Sequence, residues 1–282
     1  MIRLVTDSTC DLPEGQLEQL GVAIVPITIH FGTEEYHEGQ DLSYADFFRK
    51  VDQLGIVPKT SQPSPGVFAR VYQRLAAEGA TTILSLHVTG QLSGTVRSAE
   101  MAADAVSQTV DVRVFDSLAG SAGTGFMVLE AVEMLAQGAD ADAILARWAE
   151  IRDGIRITFY LDSLKYARMS GRVGALQSSL ASVLKIKPLV KLDQGMLHVG
   201  ERVRSRKAAL ERLVELATEQ AAGRPVNLAV VHAEDPSGAE ALLAQVQQCL
   251  DCRRTFVTRL AVSLVTNLGI GTLGIVLYPV AS

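Results

Sequence analysis

The sequence contains few cysteines, few aromatic residues and no long apolar run. Its three cysteines, Cys10, Cys249 and Cys252, are too few and too unevenly spaced for a disulfide framework. The first residues, MIRLVTDSTCDL, lack the basic start and apolar stretch of a signal peptide. The apolar run TLGIVLYPVA is much shorter than the ~20 residues of a membrane helix. These features predict a cytoplasmic protein without an integral membrane segment.

The composition is typical of a folded globular protein. Apolar residues make up 48% of the chain and charged residues 20%, which excludes extensive disorder. The length of 282 residues favours two domains, since domains usually span ~100–200 residues. We expect a first domain over residues 1–154 and a second over 155–282, because the pattern of predicted elements changes there.

The charge is unevenly distributed along the chain. The net charge is −5, yet the window from Lys165 to Lys207 holds ten Lys or Arg and only two acidic residues. This basic window could attract an anionic partner or a phosphate, or it could be an ordinary solvated face. The acidity of the remaining chain argues against general nucleic-acid binding, so no nucleic-acid partner is expected.

The order of predicted elements indicates an α/β fold. In the first half, the strand-like runs IRLV, AIVPITIHF, TTILSLHV and VDVRVF alternate with amphipathic segments, which predicts a mainly parallel sheet flanked by helices. Ser43 and Ser64 are predicted helix caps, the latter followed by Pro65. In the second half, KIKPLVKL and GMLHVGERV flank Asp193-Gln194-Gly195, which predicts a hairpin. Further strands and helices predict a second α/β domain with a mixed sheet.

Several familiar motifs are incomplete. GIGTLG, residues 269–274, matches a dinucleotide fingerprint, but no helix or acidic residue follows it, so a glycine-rich turn is the better interpretation. Cys249 and Cys252 lack a second CxxC or a histidine pair that would complete a zinc site. The five histidines show no metal-ligand spacing and Ser93 lies outside a GxSxG elbow. The sequence therefore predicts no cofactor and no metal.

Hydroxyl-rich turns are the remaining candidates for a binding site. VTDST, HVTGQLSGT and FDS follow predicted strands, and KTSQPS precedes a helix. Ligands of open α/β sheets bind at the carboxyl ends of the strands. Ser93, Gly94 and Thr95 at a helix start offer hydroxyl and N–H donors to an anion. Each turn alone is an ordinary helix cap, but several at one edge favour a small anion site.

The motifs resemble those of the DegV family of fatty-acid-binding proteins. The resemblance covers nearly the whole chain and rests on VTDSTCDLP, VPITIHFGTEEYHEG, KTSQPSPGVF, LSGTVRSAE, VFDS, SGRVG, KIKPLVKLDQG and RVRSRKA, in the family's order. It implies a two-domain protein that encloses one long-chain fatty acid, such as palmitate, between its domains. It also implies a kinase partner, the bacterial fatty acid kinase, which phosphorylates the bound acyl group for phospholipid synthesis.

The resemblance assigns roles to individual residues. Thr60 and Ser93 match the hydroxyl residues that donate hydrogen bonds to the fatty-acid carboxylate. Arg172 and Arg204, in the basic window, match arginines of the head-group network or of kinase docking. Supporting head-group residues are Ser61, Gly94, Thr95 and Asn267.

Two segments of the chain depart from the family pattern. Where the family reads HTGPG this chain has NLGIG, so Asn267 replaces the histidine and Ile270 the proline. Asparagine donates a hydrogen bond but carries no charge, which predicts a differently arranged head-group network. Ser170 replaces a family glycine, a mild change.

Two other functions stay open at the level of sequence. A serine-dependent hydrolase or acyltransferase could act on lipid esters through Ser93, although no base is evident. An interaction module could use the basic window. The family resemblance favours a carrier that is not itself an enzyme and whose ligand is the substrate of a separate kinase.

Overall fold

The computed structural model describes residues 1–170 and 186–280. The chain divides into two compact units, the first comprising Met1–Asp153 and Ala261–Ser263 and the second the remaining residues from Gly154 onward. The sequence predicts that every residue after 154 belongs to the second domain. Residues 261–263 differ from this prediction because their backbone is hydrogen-bonded to side chains of the first unit.

The secondary structure alternates between strands and helices along the chain. The strands are β1 (Ile2–Asp7), β2 (Ala23–Val25), β3 (Thr28–Phe31), β4 (Glu34–His37), β5 (Lys59–Ser61), β6 (Thr82–His87), β7 (Asp111–Asp116), β8 (Arg156–Tyr160), β9 (Lys187–Asp193), β10 (Met196–Val203), β11 (Val226–His232), β12 (Cys252–Arg259) and β13 (Leu273–Pro279). The helices are α1 (Gln16–Gln19), α2 (Tyr44–Leu54), α3 (Pro65–Ala77), α4 (Thr95–Val106), α5 (Ala122–Ala136), α6 (Ala141–Gly154), α7 (Leu164–Ser170), α8 (Arg206–Ala221), α9 (Pro236–Gln247) and α10 (Val262–Leu268).

The first unit is built on a parallel sheet with the strand order β2-β1-β6-β7. Each neighbouring pair in this sheet is parallel. Helices α3 and α4 pack against it through buried Phe68, Tyr72 and Ala99, which contact the strand residues Val5 and Ile83. The predicted α/β class with a mainly parallel sheet is confirmed, and the packed helices hold the strand ends in fixed positions.

One predicted strand is two strands in different sheets. The run AIVPITIHF predicts a single strand, but β2 ends at Val25 and β3 begins at Thr28. Pro26 lies at the break and has no N–H group with which to continue the ladder. Strand β3 forms a small antiparallel sheet in the order β4-β3-β5, which the sequence does not predict.

The helix starts agree with the sequence in position and differ in one detail. The Ser43 hydroxyl accepts a hydrogen bond from the Asp46 N–H at 3.1 Å and so caps α2. Ser64 occupies the cap position of α3 and Pro65 follows it, but the Ser64 side chain makes no capping bond. The start of α3 therefore depends on the proline, whose φ is already helical.

The second unit contains a mixed six-stranded sheet in the order β10-β9-β8-β13-β11-β12. Strands β11 and β12 are parallel, whereas the other neighbouring pairs are antiparallel. Gln194 and Gly195 both have positive φ, at 48° and 78°, between β9 and β10. This is the geometry of a two-residue hairpin turn, so the predicted hairpin and the predicted mixed sheet are confirmed.

None of the helices in residues 1–170 and 186–280 combines the length and the apolar character that crossing a bilayer requires.

Candidate functional site

Three of the hydroxyl-rich turns meet at the carboxyl edge of the parallel sheet. Asp7 ends β1 and accepts a hydrogen bond from the Val88 N–H at 3.0 Å. The chain after β6 is joined to the chain after β7 because the Thr89 N–H donates to the Ala119 carbonyl at 2.9 Å. The expectation that these turns lie together is therefore confirmed for VTDST, HVTGQLSGT and FDS.

Thr60 lies on a strand and not in a loop. Strand β5 pairs with β3, and Thr60 is directly opposite Ile29, whose side chain is fully buried. Directly opposed residues of an antiparallel pair project to the same face of the sheet. Thr60 is half-buried on that face, and its hydroxyl has no hydrogen-bond partner among the residues that the structure describes. The hydroxyl is therefore available to a ligand.

Ser61 has a partner within the protein. Its hydroxyl lies 2.8 Å from Nε2 of His30 on the neighbouring strand. Successive side chains of a strand alternate between faces, so Ser61 points away from the side that carries Thr60. This geometry separates the two adjacent hydroxyls.

Ser93 and Thr95 form a hydroxyl pair at the start of α4. The two side-chain oxygens lie 2.8 Å apart, and the Thr95 N–H points to the Ser93 hydroxyl at 3.3 Å. The N–H groups in the first turn of a helix have no acceptors within the helix and carry its positive dipole end. The pair therefore stands at a helix start, the position that makes Ser93, Gly94 and Thr95 candidates for holding an anion.

Gly94 brings the two candidate segments together. A β-carbon added at Gly94 would overlap the side-chain amide of Gln62, which stands two residues after Thr60. The φ of Gly94 is −77°, a value that any residue can adopt, so the close approach and not the backbone angle requires glycine here. The segments that carry Thr60 and Ser93 thus meet at Gln62 and Gly94 in the first unit.

The other predicted site residues are not part of this contact. Asn267 lies half-buried in α10, within the second unit. Arg204 is exposed just after β10 and makes no ion pair with any residue in the described part of the chain. Arg172 lies outside the described residues.

A buried hydrogen-bond chain under the same edge is not predicted by the sequence. The Ser85 hydroxyl lies 2.7 Å from the Tyr72 hydroxyl on one side and 2.7 Å from Nε2 of His87 on the other. The opposite ring nitrogen, Nδ1, lies 3.0 Å from the Asp7 carboxylate. Burial alone would raise the pKa of Asp7, but hydrogen bonds from His87, Thr9 and the backbone hold it below its usual value. The signal in the sequence was two polar residues, 85 and 87, spaced two apart in an apolar strand.

The order serine, histidine, aspartate in this chain resembles a nucleophilic triad, but its position excludes that use. Ser85 and His87 are fully buried, and Asp7 is 1% exposed. The edge of the Phe68 ring also packs against the imidazole of His87, with 4.9 Å between ring centroids. A substrate has no access to the Ser85 hydroxyl, so the chain is a structural element that fixes the ends of β1 and β6.

Two further buried carboxylates bind the segment 261–263, and the sequence gives no sign of them. Asp11 accepts hydrogen bonds from the Ser121 hydroxyl at 2.5 Å and from the Ala261 N–H at 2.9 Å. Glu38 accepts from the Ser263 N–H at 2.9 Å and from the Ser263 hydroxyl at 2.7 Å. These bonds attach the start of α10 to the first unit.

Burial changes the acidity of both carboxyl groups. It raises the pKa of Glu38 to about 7, although hydrogen bonds from the hydroxyls of Ser8 and Ser263 oppose the change. Burial also raises the pKa of Asp11 well above its usual range, and the Ser121 hydroxyl opposes this change. The two groups thus bind protons more tightly in the folded than in the unfolded chain.

We expect stability to decrease between about pH 5 and about pH 7. A carboxyl group with a raised folded-state pKa stabilises the fold fully below its unfolded pKa, and this contribution is lost as the pH rises to the folded value. For Glu38 the loss in the free energy of unfolding is about 2 kcal/mol over that interval. Urea unfolding of wild type and Glu38→Gln at several pH values checks this, because the neutral amide keeps the shape of the protonated acid. Parallel pH profiles of the two proteins would contradict the assignment.

The glycine turn of the second unit has a packing role. Gly269 and Gly271 have φ values of 96° and 79°. A β-carbon on Gly269 would come within 2.8 Å of the Tyr166 ring, and one on Gly271 within 2.8 Å of the Asp162 β-carbon. The interpretation of GIGTLG as a turn that permits close approach is confirmed.

Two expectations from the sequence concern metals and thiols, and both involve side chains of His, Cys, Asp and Glu. Within the described ranges, no group of three or more His, Cys, Asp and Glu residues is placed to hold a metal ion. Cys10, Cys249 and Cys252 are free thiols, and burial raises the pKa of Cys10 strongly.

Comparison with known proteins identifies the family. The model of the DegV family matches residues 1–280, and the chain belongs to this family. Protein DegV of Bacillus subtilis is 31% identical over 276 residues, which is 97% of this chain and 98% of that protein. A DegV domain-containing protein of Streptomyces coelicolor is 37% identical over 241 residues, which is 86% of this chain and 85% of that protein.

Solved structures agree with the fold. A DegV family protein from Thermus thermophilus, described by its fatty acid binding, superposes with a TM-score of 0.90 at 35% identity and covers 99% of both chains. DegV of Bacillus subtilis, described as a fatty acid binding protein, superposes with a TM-score of 0.89 at 30% identity, again over 99% of both chains.

Proposed function

We propose that this protein binds one long-chain fatty acid, such as palmitate, and holds its carboxylate with the hydroxyls of Thr60 and Ser93. The observation that carries the proposal is the contact of Gln62 with Gly94. This contact joins the segment that carries Thr60, whose hydroxyl has no partner among the described residues, to the helix start that carries Ser93 and Thr95. The fatty-acid binding of the Thermus and Bacillus relatives supports the same ligand class.

The energetics of such a ligand divide between tail and head. Burial of a methylene contributes ~0.8 kcal/mol, so a chain of ~14 methylenes provides on the order of 11 kcal/mol before the entropic cost of binding. An unpaired carboxylate loses several kcal/mol on leaving water, so it needs hydrogen-bond donors. Thr60, Ser93 and the first-turn N–H groups of α4 are such donors, and none of them carries a charge that would lock the head group in an ion pair.

The proposal makes the protein a carrier and not an enzyme. The Ser93 hydroxyl is paired with that of Thr95, and no His, Asp or Glu of the described residues hydrogen-bonds to it. A serine nucleophile needs such a base. We therefore expect a fluorophosphonate probe to leave Ser93 unmodified, as measured by intact-protein mass spectrometry. An adduct that forms in wild type and disappears in Ser93→Ala would support the hydrolase or acyltransferase instead.

We further propose that a separate kinase phosphorylates the bound carboxylate. The proposed donors are neutral and so do not lock the carboxylate in an ion pair. Arg204 is exposed and forms no ion pair with the described residues, which suits docking to an acidic surface of the kinase. Arg172 is proposed for the same region on the family resemblance alone. Asn267 is proposed as a supporting residue, whereas Ser61 is proposed to act only indirectly, because its hydroxyl is bonded to His30 and does not touch the ligand.

Hydroxylamine trapping of acyl phosphate tests the kinase step. The palmitate-loaded protein is incubated with ATP, with and without a purified bacterial fatty acid kinase. Acyl hydroxamate is expected only when the kinase is present, and Arg204→Ala should lower its rate of formation while palmitate affinity stays unchanged. Product formed without the kinase would make this protein an enzyme. No product with the kinase, although palmitate is bound, would exclude the carrier role.

A further inference from the structure

The side chain of Gln62 has no assigned role, and its position is unusual. Gln62 follows β5, and the alternation of the strand places it on the same side as Thr60. Its amide nitrogen, amide carbon and amide oxygen all lie where a β-carbon of Gly94 would be. The amide group thus lies flat against the backbone of the turn that carries Ser93.

The amide of Gln62 is also free to bind a ligand. It forms no hydrogen bond with any residue in the part of the chain that the structure describes, and the side chain is exposed. A side-chain amide has two N–H donors. The amide lies against Gly94, the residue between Ser93 and Thr95, and Gln62 itself is two residues after Thr60.

From this geometry we infer that Gln62 is a third carboxylate donor and makes the site selective for an acid over a neutral lipid. The inference rests on the proposed fatty-acid binding. Gly94 has the complementary role of a positioning residue, because the absence of a side chain there lets the amide reach the turn. Without charged groups among the donors, the number of N–H and O–H groups aimed at the carboxylate sets the preference for the ionised head group.

Gln62→Glu provides the sharpest test, because it replaces the amide with a carboxylate of the same shape. Displacement of a fluorescent fatty acid measures the affinity for palmitate and for hexadecanol, which has the same chain and an uncharged head. We expect palmitate to bind Gln62→Glu at least about 30-fold more weakly, since two like charges then share the site, and hexadecanol to bind wild type and variant equally. Equal palmitate affinity in both proteins would overturn the inference.

A double-mutant cycle tests the role of Gly94. The negative φ of Gly94 accepts alanine, so Gly94→Ala should disturb the site only by displacing Gln62. We expect Gly94→Ala to weaken palmitate binding about 5- to 20-fold in wild type and to have no further effect in Gln62→Ala, because coupled residues are not additive. Additive effects would overturn the inference.

Palmitate binding by wild type distinguishes a failure of the proposed fatty-acid binding from a failure of the inference about Gln62. If wild type binds neither palmitate nor the fluorescent fatty acid, the proposed function fails and Gln62 has no carboxylate to hold. If wild type binds palmitate and the Gln62 variants match it, only the inference about Gln62 fails. Circular dichroism of each variant establishes that the fold is retained.

Discussion

The variant that carries both Thr60→Ala and Ser93→Ala is expected to bind palmitate about 30- to 1,000-fold more weakly than wild type. Each hydroxyl that donates to a charged group contributes about 1.5–3 kcal/mol, and the first-turn N–H groups of α4 compensate in part, which leaves a combined loss of about 2–4 kcal/mol. Isothermal titration of delipidated protein with palmitate measures the affinity. The loss should appear for palmitate and be much smaller for hexadecanol.

Ser61→Ala is the matched control for this prediction. Ser61 is adjacent to Thr60, but its hydroxyl is bonded to His30 on the other side of the strand. We expect its removal to change palmitate affinity less than about threefold. Equal losses for Ser61→Ala and Thr60→Ala would mean that the hydroxyls act through the small sheet and not on the ligand.

The second large effect is expected for Asp7→Asn, which should lower the free energy of unfolding by about 3–5 kcal/mol. One carboxylate oxygen of Asp7 accepts from His87 and from the Val88 N–H, both at 3.0 Å, and the other accepts from Thr9. An asparagine must place its NH₂ group against one of these donor pairs, which leaves buried donors unsatisfied. Urea denaturation measures the change.

Asp104→Asn serves as the control for this stability prediction. Asp104 is exposed on α4, and surface substitutions of this kind change stability by about 0.5 kcal/mol or less. A loss below about 1 kcal/mol for Asp7→Asn would show that the buried chain from Tyr72 to Asp7 does not hold the strand ends together.

The fold followed from local patterns where those patterns were strong. Apolar strand runs alternating with amphipathic segments predicted the parallel sheet, and Asp193-Gln194-Gly195 predicted the hairpin. The three-stranded sheet was missed because β4 reads as polar and exposed and β5 has only three residues. Pro26 was the one local sign that the run from 23 to 31 is interrupted, and the apolar residues on both sides obscured it.

The sequence predicted some residues of the candidate site but not the contacts between them. Ser93 could be predicted because it stands between a recognisable strand and a recognisable helix start. The contact of Gln62 with Gly94 could not, because it depends on tertiary packing. The bonds of Asp11 to Ala261 and of Glu38 to Ser263 join residues more than 220 positions apart. No local pattern reports such pairs, since a carboxylate that will be buried has the same sequence context as an exposed one.

Mass spectrometry of the lipid bound to the purified protein tests the central claim most directly. The protein is analysed by native mass spectrometry and then extracted, and the delipidated chain is offered palmitate. We predict one long-chain fatty acid per chain before extraction, and saturable binding of one palmitate afterwards. A protein that carries no fatty acid and does not take up palmitate would contradict the account.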